Sequence, residues 1–190
     1  MEEKNELRKK ILALRNSMDK DEAEEKSSII MEKLTQTEEY NQSRVVFVYM
    51  DFNNEVKTMP LIERMLSEKK KVVIPYTDTV NTVIIPSELK STDDDLVLSK
   101  FGYLEPVLEK IRPVEPEEFD LVVVPGVVFD RKLNRIGFGK GYYDRILAKL
   151  KKSAKALAVA YDFQVLDEVP SEDYDVKMDM IITEKNIYTN

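Results

Sequence analysis

The chain contains no cysteine and no histidine. Without cysteine there are no disulfides and no thiolate chemistry, which fits a reducing compartment. Without either residue there is no Ser-His-Asp triad and no Cys-His pair. Zinc held by nitrogen and sulfur ligands is excluded by the same absence. Any metal must take oxygen ligands, which favours magnesium or calcium. Any catalysis must use carboxylates, lysine, arginine, tyrosine or positioning alone. Phosphoryl transfer is a chemistry of that kind. No apolar run approaches the roughly 18 residues of a membrane span. The opening MEEKNELRKK is charged, unlike a secretory signal, so cytoplasm is the expected compartment. Positive charge is in deficit as well: the net charge is -7. Nucleic acid and anionic membrane are therefore not expected partners. An anionic small ligand would need a local basic site.

Glycine is also scarce, with five in 190 residues, against an average of roughly 7%. Four of the five lie between 126 and 141, and three stand at alternate positions in RIGFGKGYYDR, residues 135–145.

A chain of this length, 43% hydrophobic and 34% charged, suits a single domain over 1–190. Residues 4–16 read as a helix with Leu7, Ile11 and Leu14 as its apolar stripe and Lys4 and Arg8 on another face. A second helix is expected over 20–36, capped by Asp19 or Asp21. Further helices fall at 58–70, with Thr58 as cap and Pro60 in the first turn, and at 142–152. Strands are expected at 44–50, 71–76, 82–86, 119–126, 155–162 and 178–183, the last closing the chain. Residues 87–118 read mostly as surface connection. Strand and helix alternate, and short all-apolar strands such as LVVV lie in sheets covered on both faces. The expected fold is α/β, a three-layer sandwich with a mostly parallel central sheet. It is Rossmann-like but lacks the dinucleotide fingerprint.

The glycine cluster follows a buried strand and a loop of about ten residues, and it leads into a helix. Ligands of open parallel sheets bind outside the carboxyl ends of strands. A glycine-rich loop entering a helix presents free N–H groups to an anion. The spacing fits neither a Walker A loop, since Lys140 is followed by Gly141, nor the G-x-G-x-x-G fingerprint. Local charge supports an anion site. Over 126–145, Arg131, Lys132, Arg135, Lys140 and Arg145 face only Asp130 and Asp144. The alternative is a flexible loop with a solvated basic surface.

The stretch VVVPGVVFDRKLNRIGFGKGYYDRIL resembles the signature of 5-formyltetrahydrofolate cyclo-ligases, also called methenyltetrahydrofolate synthetases. The residues that carry the likeness are Pro125, Gly126, Phe129, Asp130, Arg135, Ile136, Gly137, Gly139, Gly141, Tyr142, Tyr143 and Asp144. Lys4 and Arg8 match the family's opening Lys-x-x-x-Arg helix. Glu55 and Thr58 match its Glu and Thr after the first strand, and Asp179 its last aspartate. The resemblance implies an enzyme that joins ATP and 5-formyltetrahydrofolate, giving 5,10-methenyltetrahydrofolate, ADP and phosphate. It implies phosphorylation of the formyl oxygen, attack by the second folate nitrogen and loss of phosphate.

By the same resemblance, ATP would meet Lys4, Asn5, Glu6, Leu7 and Arg8 of the first helix. It would also meet the loop Arg135, Ile136, Gly137, Phe138, Gly139, Lys140, Gly141, Tyr142 and Tyr143. Folate would meet Met50, Glu55, Phe138, Gly139, Lys140, Gly141 and Tyr142. Lys140, Tyr142 and Arg135 would be catalytic, and Asp144 and Asp179 would hold magnesium. The partners implied are small molecules, and a monomer is expected. On the residues alone, two other readings stay open. One is a noncatalytic phosphate-binding module. The other is a sugar-phosphate isomerase or acyl-transferase using Glu55 or Asp130.

Overall fold

A computed structural model describes residues 2–172 and 175–189. Its centre is a seven-stranded sheet. The strands that build it, in chain order, are β1 (Val45–Val48), β2 (Lys71–Asp78), β3 (Val83–Leu89), β6 (Leu121–Val124), β9 (Lys155–Val159), β11 (Met180–Ile182) and β12 (Ile187–Thr189). Their spatial order is β12-β11-β9-β6-β1-β2-β3. The five inner strands run parallel, and β3 and β12 pair antiparallel at the two edges.

Alternation along each strand sends its side chains to two apolar layers. Val46, Val48, Val72, Ile74, Leu121, Val123, Leu157 and Val159 meet Ala23, Ile30 and Leu34 of helix α2 (Lys20–Thr35) and Leu61, Ile62 and Met65 of helix α4 (Met59–Ser67). Phe47, Val73, Val122, Val124, Ala156 and Ala158 meet Ile146 and Leu147 of helix α5 (Tyr142–Leu147) on the other face. Both faces are covered, so these strands read as continuous apolar runs. The α/β sandwich with a mostly parallel sheet is the observed fold.

Helix α1 (Glu2–Ser17) packs beside a smaller sheet, in which β7 (Val128–Asp130) pairs with β8 (Arg135–Ile136) and β10 (Val165–Leu166). Ile11 and Leu7 of α1 pack with Val127, Val128 and Ile136. The apolar stripe departs from expectation here. Leu14 is 48% exposed, whereas Arg15, four residues after Ile11, is 2% exposed. A carboxylate inside the fold, Glu55, draws the arginine inward in place of the leucine.

Three further expectations are corrected. Helix α5 stops at Leu147 rather than 152, because Lys149 and Leu150 donate to carbonyls three residues back and tighten the end. The chain does not close on β11, because β12 adds an antiparallel edge. Residues 87–118 hold a hairpin of β4 (Leu96–Leu98) and β5 (Leu104–Pro106). Gly102, with φ +90°, makes its turn. Helix α3 (Glu38–Gln42) leads into β1. No described helix is long and apolar enough to cross a membrane.

Candidate active site

Neighbouring strands β1 and β6 send the chain to opposite faces, β1 to α4 and β6 to α5. That is a topological switch point, where the carboxyl ends of an open sheet leave a crevice. A cavity of about 430 Å³ occupies it.

One wall comes from the β1–α4 loop, through Met50, Phe52 and Glu55. This loop is pinned at several points. Asn53 and Asn54 adopt left-handed conformations, with φ 47° and 57°. The Asn54 side-chain amide donates to the carbonyls of Arg15 at 3.2 Å and Met18 at 3.0 Å, closing the end of α1. Asp51 accepts from the Thr58 N–H at 3.0 Å and so fixes the start of α4. Glu55 is turned inward. Its Oε2 accepts from the Phe52 N–H at 3.0 Å, and its Oε1 lies 3.7 Å from Arg15 Nη1. Burial pushes its carboxyl up to about 7, against the opposing pull of Arg15 and the Phe52 N–H. A carboxyl poised there is a strong acceptor for ligand N–H donors when ionised.

A second wall is apolar and aromatic. Pro75, Thr77 and Ile84 come from β2 and β3, and Phe101 and Tyr103 from the β4–β5 hairpin. Tyr103 meets Phe52 edge-on at 5.7 Å and stacks on Phe101 at 6.0 Å. Such a wall suits a flat ring. None of these residues figures in the sequence-based site. The signal available for them was the fifth glycine, Gly102, standing between two aromatic residues inside an otherwise polar connection.

The glycine loop forms the third wall. Its base is the β7–β8 turn, organised by Asp130. That carboxylate is fully buried. It accepts from the N–H groups of Lys132 at 2.9 Å, Asn134 at 2.9 Å and Val169 at 3.0 Å, and from the Asn134 side chain at 2.8 Å. With four donors and no exposure, Asp130 holds the loop and is unavailable as a base or nucleophile.

Above it, Gly139 and Gly141 have φ +89° and +65°, a region that side chains rarely enter. Arg8 Nε donates to the Gly137 carbonyl at 2.7 Å, tying α1 to the loop. A side chain at Gly139 would stand 3.6 Å from the Arg8 guanidinium. Arg135 lines the cavity and donates to the Pro125 carbonyl at 3.2 Å and to the Asp144 carboxylate. Its Nε is buried with no acceptor among the described residues. Lys140, Tyr142 and Asp144 also face the cavity. With six residues, α5 adds little dipole, so the anion-binding character rests on the loop and its cations.

The remaining expected residues divide. Phe138 is 52% exposed, and its ring covers Arg15 at 5.6 Å. Tyr143 reaches the cavity wall but also stacks on Phe47 at 5.9 Å, joining helix to sheet. Leu7 and Ile136 turn their side chains into the core. Lys4 pairs with Asp175 at 3.0 Å, Asn5 accepts from Arg8 at 2.6 Å, and Glu6 is exposed.

Asp179 is corrected outright as a partner of Asp144. It precedes β11 at the amino edge of the sheet, where its Oδ2 accepts from the Ala156 N–H at 2.8 Å. The cavity lies at the carboxyl edge. Strand β9 has five residues, so at about 3.3 Å per residue the two edges stand about 15 Å apart. No group of three or more acidic side chains that could hold a metal occurs among the described residues. Asp144 remains, half-exposed on the cavity wall. One carboxylate beside a basic, glycine-lined loop fits magnesium, which takes one or two protein carboxylates and completes its shell with phosphate oxygens and water.

The arrangement can hold an anion on a basic, glycine-lined wall and a flat ring on an aromatic one, with a buried carboxyl between them. The family model described as the 5-formyltetrahydrofolate cyclo-ligase family matches residues 1–184. A Schizosaccharomyces pombe protein named probable 5-formyltetrahydrofolate cyclo-ligase is 30% identical over 174 residues, 85% of each chain. The solved 5,10-methenyltetrahydrofolate synthetase of Aquifex aeolicus is 35% identical, with a TM-score of 0.85 over 98% of this chain and 92% of that one. That of Mycoplasma pneumoniae is 27% identical, with a TM-score of 0.77 over 95% and 98%.

Proposed function

The chain belongs to the 5-formyltetrahydrofolate cyclo-ligase family, and on that premise we propose that it turns 5-formyltetrahydrofolate and ATP into 5,10-methenyltetrahydrofolate, ADP and phosphate. The observation that carries the reading is the cavity at the β1–β6 switch point. There a glycine loop built for anions faces an aromatic wall built for a flat ring.

The folate ring lies against Phe52, Phe101 and Tyr103, beside Met50. Ionised Glu55 accepts from the ring's N–H donors. The triphosphate lies along Gly137 to Gly141, with Arg8 and Lys140 as its cations. The substrate's formyl oxygen attacks the terminal phosphorus and ADP leaves. The second folate nitrogen then attacks the formyl carbon and gives up its proton to the departing phosphate, and the C–O bond breaks as phosphate is released.

The nucleophiles belong to the substrate, so no side chain has to be a strong base. That agrees with a chain that has no histidine. Lys140 is exposed at the cavity rim and stabilises charge on the moving phosphoryl group. Arg135 orients Asp144, and Tyr142 closes the loop side of the cavity. When bound, magnesium neutralises phosphate charge, and Asp144 is the protein ligand that would hold it.

A buried, four-fold hydrogen-bonded Asp130 disfavours the isomerase or acyl-transferase reading that would use it as base. The noncatalytic reading is tested directly. Purified protein with magnesium, ATP and 5-formyltetrahydrofolate should form the methenyl chromophore with one ADP per product. ATP turnover indifferent to folate, or none at all, would overturn the proposal.

A further inference from the structure

Arg15 is the largest fully enclosed side chain of the fold. Enclosing a guanidinium is unfavourable unless it is paired and hydrogen-bonded. Here the bonding is incomplete. Nε has no acceptor among the described residues. Among the described residues, the acid paired with it is Glu55, at 3.7 Å, beyond hydrogen-bond length. An apolar side chain of similar size would fill the same space without this cost. Packing alone therefore leaves the charge unexplained.

The surroundings of Glu55 supply a reason. Tyr49, just past the end of β1, and Tyr143 of α5 face it, and burial keeps both phenols protonated. Asp51 and Lys57 of its own loop pair with each other at 3.2 Å. Tyr161 donates its hydroxyl to the Glu55 backbone carbonyl at 3.2 Å, not to the carboxylate. Among the groups that favour a charged Glu55, Arg15 acts most strongly, ahead of the Phe52 N–H and Lys57. The Phe138 ring lies over the guanidinium and shields the pair from water, which strengthens their attraction.

We propose that Arg15 is a positioning residue, whose enclosed guanidinium keeps the Glu55 carboxyl ionised and turned toward the cavity, ready to accept from the folate ring. The proposal rests on the folate reading of Glu55 given above. Arg15 itself stands behind the wall and touches no ligand.

The test is a carbon-13 NMR titration of the Glu55 carboxyl in the ligand-free full chain, assigned with Glu55→Gln. Removing an opposite charge at this range should raise the Glu55 midpoint by about 1–3 pH units in Arg15→Met. Arg15→Lys keeps the charge and should stay close to wild type. Should the methionine chain not fold, Arg15→Gln is read against Arg15→Lys in the same way. In parallel, calorimetry should find 5-formyltetrahydrofolate affinity at pH 7.5 lowered by about threefold or more in Arg15→Met, recovering toward higher pH. Magnesium-ATP affinity should stay within about twofold. A midpoint that does not move in either uncharged variant, or that moves equally in the lysine variant, overturns the proposal. A midpoint that rises while folate affinity ignores pH upholds the charge-setting role and removes Glu55 from the folate contacts instead.

Discussion

Alkaline pH should weaken the fold through Glu55. Its carboxyl is pushed from an ordinary 4.5 up to about 7, chiefly by burial. Between those values the folded chain holds a proton that the unfolded chain has released. The stability associated with that proton is complete below pH 4.5 and is lost as pH rises through about 7. The difference corresponds to roughly 3 kcal/mol, and at 8% exposure solvent screening removes little of it. Urea unfolding of wild type and Glu55→Gln at pH 4.5, 6 and 8 isolates this contribution, since every other carboxylate is common to both chains. Wild type should lose about 3 kcal/mol relative to the glutamine variant across that range. Parallel stability curves would show that folding leaves the Glu55 titration unshifted, and would refute the argument. The cost is accepted at a site where an ionised acceptor serves binding, a trade of stability for function.

Three substitutions probe the glycine wall. Gly139→Val should cost about 1 kcal/mol or more of stability, since φ is +89°. With its Cβ 3.6 Å from the Arg8 guanidinium, it should also weaken ATP binding far more than folate binding, as read by calorimetry of each ligand. Lys140→Met should lower kcat by about 10²–10³-fold, the size of one preorganised electrostatic contact, with folate affinity little changed in steady-state kinetics. Asp144→Ala should raise the magnesium concentration needed for half-maximal activity. It should lower thermal stability by about 1 kcal/mol, because Asp144 is half open to water while its partner Arg135 is nearly enclosed.

Local pattern carried the strands, the first two helices and the glycine loop into view, because burial on both faces and helical spacing leave marks on neighbouring residues. The site's other half left no such mark. Phe52, Phe101 and Tyr103 come from two segments that only the tertiary fold brings together. The hairpin at 96–106 lies in a stretch with three prolines and no period, and its signal was a single glycine between two rings. Arg15 was invisible because helical spacing cannot distinguish Leu14 from Arg15 as the inward residue. The decision belongs to Glu55, forty positions away. Asp179 was misplaced for the converse reason. A motif match gives sequence positions, not the end of the sheet at which a strand begins.

The sharpest question is whether the formyl oxygen itself is phosphorylated inside this cavity. 5-Formyltetrahydrofolate carrying oxygen-18 in its formyl group, turned over with magnesium and unlabelled ATP, answers it by mass analysis of the released phosphate. The mechanism predicts one labelled oxygen in each phosphate formed. Unlabelled phosphate accompanied by methenyl product would mean that the formyl oxygen leaves by another route, and would contradict the account.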